Sequence, residues 1–298
     1  MFRRLDAGLL EATAAADVPR TPLERAVTSV KRVLIGVPLA TARAEHERLT
    51  KFKALAVLSS DAISSVAYAT EAILLTLAAA GSHSLGYTLW ISFAIVVLLS
   101  IVALSYRQTI PAYPNGGGSY IVAQDNLGML PGLIAAASLM IDYVLTVSVS
   151  VSAGVLALAT LFPQLQAYVV QIDVALVILI TVVNLRGVRE SGSIFSIPTY
   201  LFIGSALLLI LVGCIKAFVL QHQPVFGNFT PIKATETLSL FLILRSFAAG
   251  CAALTGVEAI SNGIPAFKKP ETHNAATTLT WMAIILGTLF VGITLLAL

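Results

Sequence analysis

Apolar stretches recur along the chain near 54–80, 87–106, 132–161, 167–185, 198–220, 246–264 and 275–298. Each is close to the roughly 20 residues that an α-helix needs to cross the hydrocarbon of a bilayer. Seven candidate membrane helices follow. The fourth is short and opens on Gln171 and Asp173. Only helices and closed barrels satisfy their own backbone in lipid, so the expected class is an all-α integral membrane protein. The composition agrees, with 57% hydrophobic and 11% charged residues where water-soluble domains carry about a quarter charged.

The charges that remain are unevenly placed. Ten of the eighteen Lys and Arg lie in the first 53 residues, and Arg107, Arg186, Arg189, Lys268 and Lys269 fall in alternate connections between the apolar segments. That puts fifteen on one side against Lys216, Lys233 and Arg245 on the other. Basic connections stay on the cytoplasmic side, which places the N-terminus in the cytoplasm of a multi-pass cell-membrane protein. Two regions are expected: a cytoplasmic arm over 1–52 and a transmembrane domain over 53–298. The arm mixes Arg with six acids and holds no apolar run before a small-residue cleavage site, so it does not read as a signal peptide. Its basic end, "RAEHERLTKFK", suits either a solvated leader or anionic lipid head groups, with the leader favoured. A net charge of +3 concentrated in that arm gives no footing for nucleic acid. Cys214 and Cys251 sit in apolar segments without metal-ligand spacing and read as packed small residues.

Asp61, Asp142 and Glu258 fall inside apolar segments, where a carboxylate costs about 2.5–3.5 kcal/mol on insertion scales. No base lies near the middle of those segments, so simple ion pairing does not explain them. In the third segment Ser138, Asp142, Thr146 and Ser150 recur at every fourth residue and stack oxygen-bearing side chains along one helical face. In the first, Asp61 and Tyr68 are two turns apart and share a face in a regular helix. The serines of "SSDAISS" compete for backbone groups, so unwinding with exposed carbonyls is expected there.

"DAISS" at 61–65 recurs as "EAISN" at 258–262, five helices later and therefore antiparallel. Broken helices at matching positions of an inverted repeat point to a transport site near the midplane. The second copy lies in "TGVEAISNG", bounded by Gly256 and Gly263, which permit a break. The glycine run in "YPNGGGSY" lacks the Gly-Lys-Ser/Thr ending of a phosphate loop and follows no strand. It reads either as a tight turn between the second and third segments or as a flexible loop.

Taken together, "LSSDAISSVAYATE", "YPNGGGSYIVAQDNLG", "MIDYVLTVSVSVSAGV" and "TGVEAISN" resemble the amino acid-polyamine-organocation permeases with the LeuT-type inverted-repeat fold. Within them the likeness is greatest to the KimA-type potassium-proton symporters and covers residues 51–298. The resemblance implies a secondary transporter working by alternating access, with potassium held by oxygens of the first, third and sixth helices. By matched position these are Asp61, Tyr68, Asp142, Tyr143, Thr146, Ser150, Thr255 and Glu258. An unhydrated alkali cation needs such a shell of oxygens to replace its water. Glu258, Asp142 and Asp61 are the proton-coupling candidates, Glu258 first because it lies on the broken helix and has the longer reach. The family pattern also uses a tyrosine from a later helix, beyond Leu298, and the last apolar segment has no polar flank, so the chain reads as truncated in its second repeat. On that reading it would not transport alone.

Potassium and protons are then cargo, and no cofactor is expected. The expected partners are membrane lipids and a small cation, with a homodimer left open. An amino acid or polyamine permease is the alternative, weakened by the lack of glycine-rich unwinding in the first segment. A non-transporting membrane sensor or scaffold is a further one. An enzyme is disfavoured because His46, His83, His222 and His273 all flank the spans and no nucleophile and base stand at paired spacing.

Overall fold

The computed structural model describes residues 2–6, 9–12, 21–34, 48–185, 188–219 and 232–298. In the N-terminal arm, β1 (Phe2–Asp6) pairs antiparallel with β2 (Leu9–Ala12), and α1 (Pro22–Leu34) follows. This short hairpin lies outside the apolar region, which is helical as expected. Residues 43–47 of the basic stretch at 43–53 lie outside the described residues, as does Arg186. From residue 51 onward the described chain is helical: α2 (Lys51–Leu58), α3 (Ser60–Ala78), α4 (Thr88–Ala112), α5 (Gly118–Leu127) and α6 (Met129–Leu161). They are followed by α7 (Val169–Leu185), α8 (Val188–Cys214), α9 (Leu240–Gly250), α10 (Ala259–Asn262) and α11 (Glu271–Ala297).

Among the described residues six stretches are long and apolar enough to span a bilayer: Ser60–Ala78, Ser82–Ala112, Met129–Leu161, Pro163–Leu185, Gly192–Ala217 and Glu271–Ala297. The sixth expected helix is instead the shorter apolar stretch Leu240–Leu254, followed by a break and the single turn of α10. Arg245, expected just before that segment, lies within α9 and is exposed.

The spacing of apolar side chains explains which faces meet. Ile63, Val66, Ala69, Ile73 and Leu77 form one buried face of α3, and Ile91, Ile95 and Leu99 one of α4. Leu279, Met282, Leu286 and Leu289 do the same on α11. These three- and four-residue steps are those of a helical stripe, and the stripes converge in one core as α11 packs along α4 and α3. At its edge Thr70 and Thr294 share a buried hydroxyl–hydroxyl hydrogen bond of 2.9 Å. On the opposite side of α3 lie Asp61, Ser64, Ser65, Tyr68 and Glu71, so one helix presents an apolar face to the core and an oxygen-bearing face elsewhere.

The first span is interrupted at one residue. Ser59, at φ −109° and ψ 0°, separates α2 from α3, and the helix is regular across Asp61–Ser65. The expected unwinding of "SSDAISS" is therefore confined to Ser59. The Ser64 and Ser65 hydroxyls donate to the Asp61 carbonyl at 2.9 and 3.0 Å, back-bonds that a helix accommodates. The carbonyl of Ala56, just before the interruption, accepts from the Thr199 hydroxyl of α8 at 3.3 Å. Tyr200, next along α8, stacks on Phe52 and donates to its carbonyl at 2.8 Å. The interrupted helix is thus braced from outside.

At the start of that span a parallel bridge joins Leu49 to Phe267, with Leu49 N–H donating to Ala266 O at 2.7 Å and Lys268 N–H to Leu49 O at 3.0 Å. An ion pair between Arg48 and Glu271 lies beside it. The chain entering α2 is thereby strapped to the connection between α10 and α11.

The glycine run is a packed turn and not a flexible loop. Gly116, Gly117 and Gly118 all have positive φ, and a Cβ on Gly116 would come within 2.5 Å of the Asn262 carbonyl. Only glycine lets this turn lie against α10.

For the Thr70–Thr294 pair, Thr70→Val should lower stability by about 1 kcal/mol. The double change with Thr294→Val should cost less than the sum of the singles, read by denaturant unfolding in detergent; strict additivity would remove the hydrogen bond from the account.

Candidate functional site

The two matched motifs occupy equivalent places in the structure. "DAISS" begins α3 directly after the Ser59 interruption, and "EAISN" begins α10 after a break at residues 255–257. Each puts its acid at the start of the helix that follows. In each, the serine three residues on donates to the acid's own carbonyl: Ser64 to Asp61 at 2.9 Å, Ser261 to Glu258 at 2.9 Å. The sequence repeat is therefore a repeat of hydrogen bonding as well.

The second break is opened by Thr255, whose ψ of 144° leaves the helical region, and by Gly256 at φ +76°. Gly256 packs directly on Asp61: a Cβ there would stand 2.8 Å from Asp61 Oδ2 and 3.1 Å from the Ala62 nitrogen. Broken helix and first helix are thus in backbone-to-side-chain contact at the level of the two acids.

Around this contact the predicted residues fall into two groups joined by Thr255. In the first, Ser65 Oγ lies 2.9 Å from the Tyr68 hydroxyl and 2.8 Å from Thr255 Oγ1. Ser150 Oγ of α6 is 3.4 Å from both the Tyr68 hydroxyl and Ser64 Oγ. In the second, Asp142, Thr255 and Glu258 line a cavity of about 450 Å³ together with Tyr106, Ser119 and Ser138. The lower half of the α6 stripe, Ser138 and Asp142, therefore faces the cavity, and Ser150 joins the hydroxyl web. Thr146 between them is buried, 7% exposed, and lines neither of the two cavities that carry the rest of the stripe. Tyr143 reaches the same region from the next position on α6: its hydroxyl accepts from Asn262 Nδ2 at 2.8 Å and contacts the Glu258 carboxylate.

Asp61 Oδ1 and Glu258 Oε1 are buried with no hydrogen-bond partner among the described residues. Buried carboxylate oxygens are ordinarily paired, since an unpaired one costs its full desolvation. Among the described residues, no Lys, Arg or His lines the cavity that holds Glu258. Unpaired carboxylate oxygens among hydroxyls, without a fixed positive charge, make a site suited to a cation or to protons.

Ser65, Tyr106, Ser119, Gly256 and Asn262 also belong to this region, beyond the residues expected from sequence. Ser65 had a legible signal, standing one turn after Asp61, and Asn262 closes the repeated motif. Tyr106 and Ser119 come from α4 and α5, whose placement beside α10 depends on the packed glycine turn.

Gly256→Ala combines a left-handed residue, costing about 1–2 kcal/mol, with a clash against Asp61. It should lower the thermal unfolding midpoint of the purified protein, whereas Gly154→Ala, where a Cβ meets nothing within 4 Å, should not; equal midpoints would contradict this contact.

Comparison with known proteins agrees with this architecture. Potassium transporter KimA of Bacillus subtilis is 52% identical over 274 residues, covering 90% of this chain and 44% of that protein. The low-affinity putrescine importer PlaP of Escherichia coli is 22% identical over 57% of this chain and 37% of its own length. The probable potassium transport system protein Kup 1 of Rhodopseudomonas palustris is 29% identical over 55% of this chain and 25% of its own. The chain spans less than half the length of these curated relatives. Residues 49–298 match the amino acid permease family, so the two broken helices and the helices that brace them belong to a membrane protein of that family, within the amino acid-polyamine-organocation superfamily.

Proposed function

We propose that this chain carries the cation site of a proton-coupled potassium-uptake transporter. The observation that carries the reading is the pair of buried, unpartnered carboxylate oxygens of Asp61 and Glu258, set among hydroxyls on three helices with no basic residue in the cavity lining. The 52% identity to a protein named a potassium transporter supports the choice of cation. The ligands in this proposal are Asp61, Tyr68, Asp142, Tyr143, Thr146, Ser150, Thr255 and Glu258. A potassium ion shedding its water here would find oxygens alone, as its coordination requires.

The three acids also supply the coupling. Carboxylates in a low-dielectric cavity favour sharing charge with a proton or a cation over standing ionised side by side. In the proposed symport one of the acids carries a proton while the others face the potassium ion, so both charges are held in the same state and cross in the same direction. Glu258 is the proton carrier in this scheme, because it sits at the break between α9 and α10, where the backbone is least constrained by helical hydrogen bonds. The chain orientation in the scheme is N-terminus inward, from the fifteen-to-three distribution of basic residues.

A polyamine substrate is the competing reading, since the same acids would suit ammonium groups and one relative is a putrescine importer. Uptake of rubidium, putrescine and an amino acid panel by a reconstituted transporter of the relatives' full length that carries this sequence distinguishes them; rubidium uptake is expected, and putrescine uptake without it would overturn the proposal. Asp142→Asn should abolish high-affinity rubidium uptake with membrane insertion unchanged, while Tyr68→Phe should raise the apparent KM about tenfold, the scale of one hydrogen bond to a charged group. A protonophore with the membrane potential clamped at zero should abolish accumulation in the wild type; retained accumulation would exclude proton coupling.

A further inference from the structure

The fifth residue of each copy of the repeated motif holds a tyrosine hydroxyl. Ser65 Oγ lies 2.9 Å from the Tyr68 hydroxyl, and Asn262 Nδ2 donates to the Tyr143 hydroxyl at 2.8 Å. The two bonds differ in kind. A serine hydroxyl can give or accept, so Tyr68 keeps its choice of direction, whereas an amide NH2 only gives. The Tyr143 oxygen is therefore an acceptor toward Asn262, and its single proton is left for the Glu258 carboxylate that it contacts. Asn262 itself has little room to turn. Its backbone carbonyl packs on Gly116, and a Cβ on Gly118 would overlap its Oδ1. Its backbone N–H donates to the Glu258 carbonyl at 2.9 Å, so the amide and the acid sit at the two ends of the single turn of α10.

We infer that Asn262 is a positioning residue that sets the proton affinity of Glu258 by holding Tyr143 as a hydrogen-bond donor to it. The inference deepens the proposed function, in which Glu258 carries the proton, and rests on it for its part in transport. A carboxylate with no basic partner gives up its proton more readily where a hydrogen-bond donor receives the anion, and donors joined in a chain strengthen one another. Among the described residues, the other titratable groups that face Glu258 are Asp61 of α3, Tyr106 of α4, Asp142 of α6 and Cys251 ahead of the break. Asp61 and Asp142 repel the anion, and Tyr106 is engaged with Ser119. Neither α5 nor α11 adds a titratable side chain to the cavity lining. Tyr143 is thus the donor available to Glu258, and Asn262 fixes its direction.

Infrared titration of the carboxyl C=O stretch, in a purified transporter of the relatives' full length that carries this sequence, tests this without requiring transport; the Glu258 band is the one that vanishes in Glu258→Gln. Asn262→Leu should move the midpoint of that band upward by about one pH unit, the scale of one hydrogen bond to a charged group, and Tyr143→Phe should do the same. The double variant should move it no further than either single. Asn262→Ala repeats the test with a side chain that the glycine turn cannot exclude. A downward shift in Asn262→Leu would mean that the amide accepts from Tyr143, and additive shifts would mean that Asn262 acts by another route. Either result overturns the inference, as would an unmoved midpoint or a wild-type Glu258 band that never titrates. The pH profile of rubidium uptake should follow the infrared midpoint in each variant. A wild type that shows these band shifts yet moves no rubidium would fail the proposed function while upholding the hydrogen-bond assignment.

Discussion

Hydrocarbon tolerates neither a free backbone group nor a bare charge, and the form of this protein follows from meeting both demands at one place. Asp61 and Glu258 need water, a partner or a ligand, and the backbone around Thr255 and Gly256 has left its helix. The two problems are solved together. The broken segment sits against the first helix at Asp61, through a glycine with no Cβ to hold the chains apart. The rest of the molecule supports that contact: α8 donates to the Ala56 carbonyl just before Ser59, α11 buttresses α3 through the common core, and the glycine turn before α5 rests on Asn262.

Internal symmetry makes the arrangement economical. One short motif, used twice, sets an acid at the start of a helix and a serine three residues on to occupy the acid's carbonyl. The copies are not equivalent, because their surroundings differ. After Ser59 the helix runs on for 19 residues, and its dipole favours a carboxylate in the first turn. After Gly256 it lasts four residues and offers little of that field. Asp61 thus stands in the first turn of a long helix, whereas Glu258 precedes a single turn and is contacted by Tyr143.

Much of this was legible in the residues. The apolar segments, the carboxylates inside them and the recurrence of "DAISS" as "EAISN" were enough to place the two interruptions, and the seven-residue spacing of Asp61 and Tyr68 held because α3 is regular there. The serines misled. Four in a short window read as a stretch competing with its own helix, yet Ser64 and Ser65 donate backward within it, and a hydroxyl's choice between these fates depends on tertiary neighbours. Similarly, Gly116–Gly118 could be read as slack chain, because the surface that demands glycine belongs to Asn262, far away in sequence. α5 is ten residues of mixed polarity and carries no periodic apolar signal. Sequence therefore located the acids, and long-range contacts decided the backbone around them.

The strap between Leu49 and Phe267, with Arg48 paired to Glu271 beside it, has a mechanical meaning. It fastens the stub that precedes one interruption to the stub that follows the other, so the two ends below the acids form a single lever with the breaks at 59 and 255–257 as its pivots. Two backbone hydrogen bonds and an ion pair would carry any displacement of α2 into the α10–α11 connection, so the segment before the first acid and the segment after the second are not free to shift independently. Because the arm runs into that lever at Arg48, a pull applied to the arm is transmitted to both hinges together.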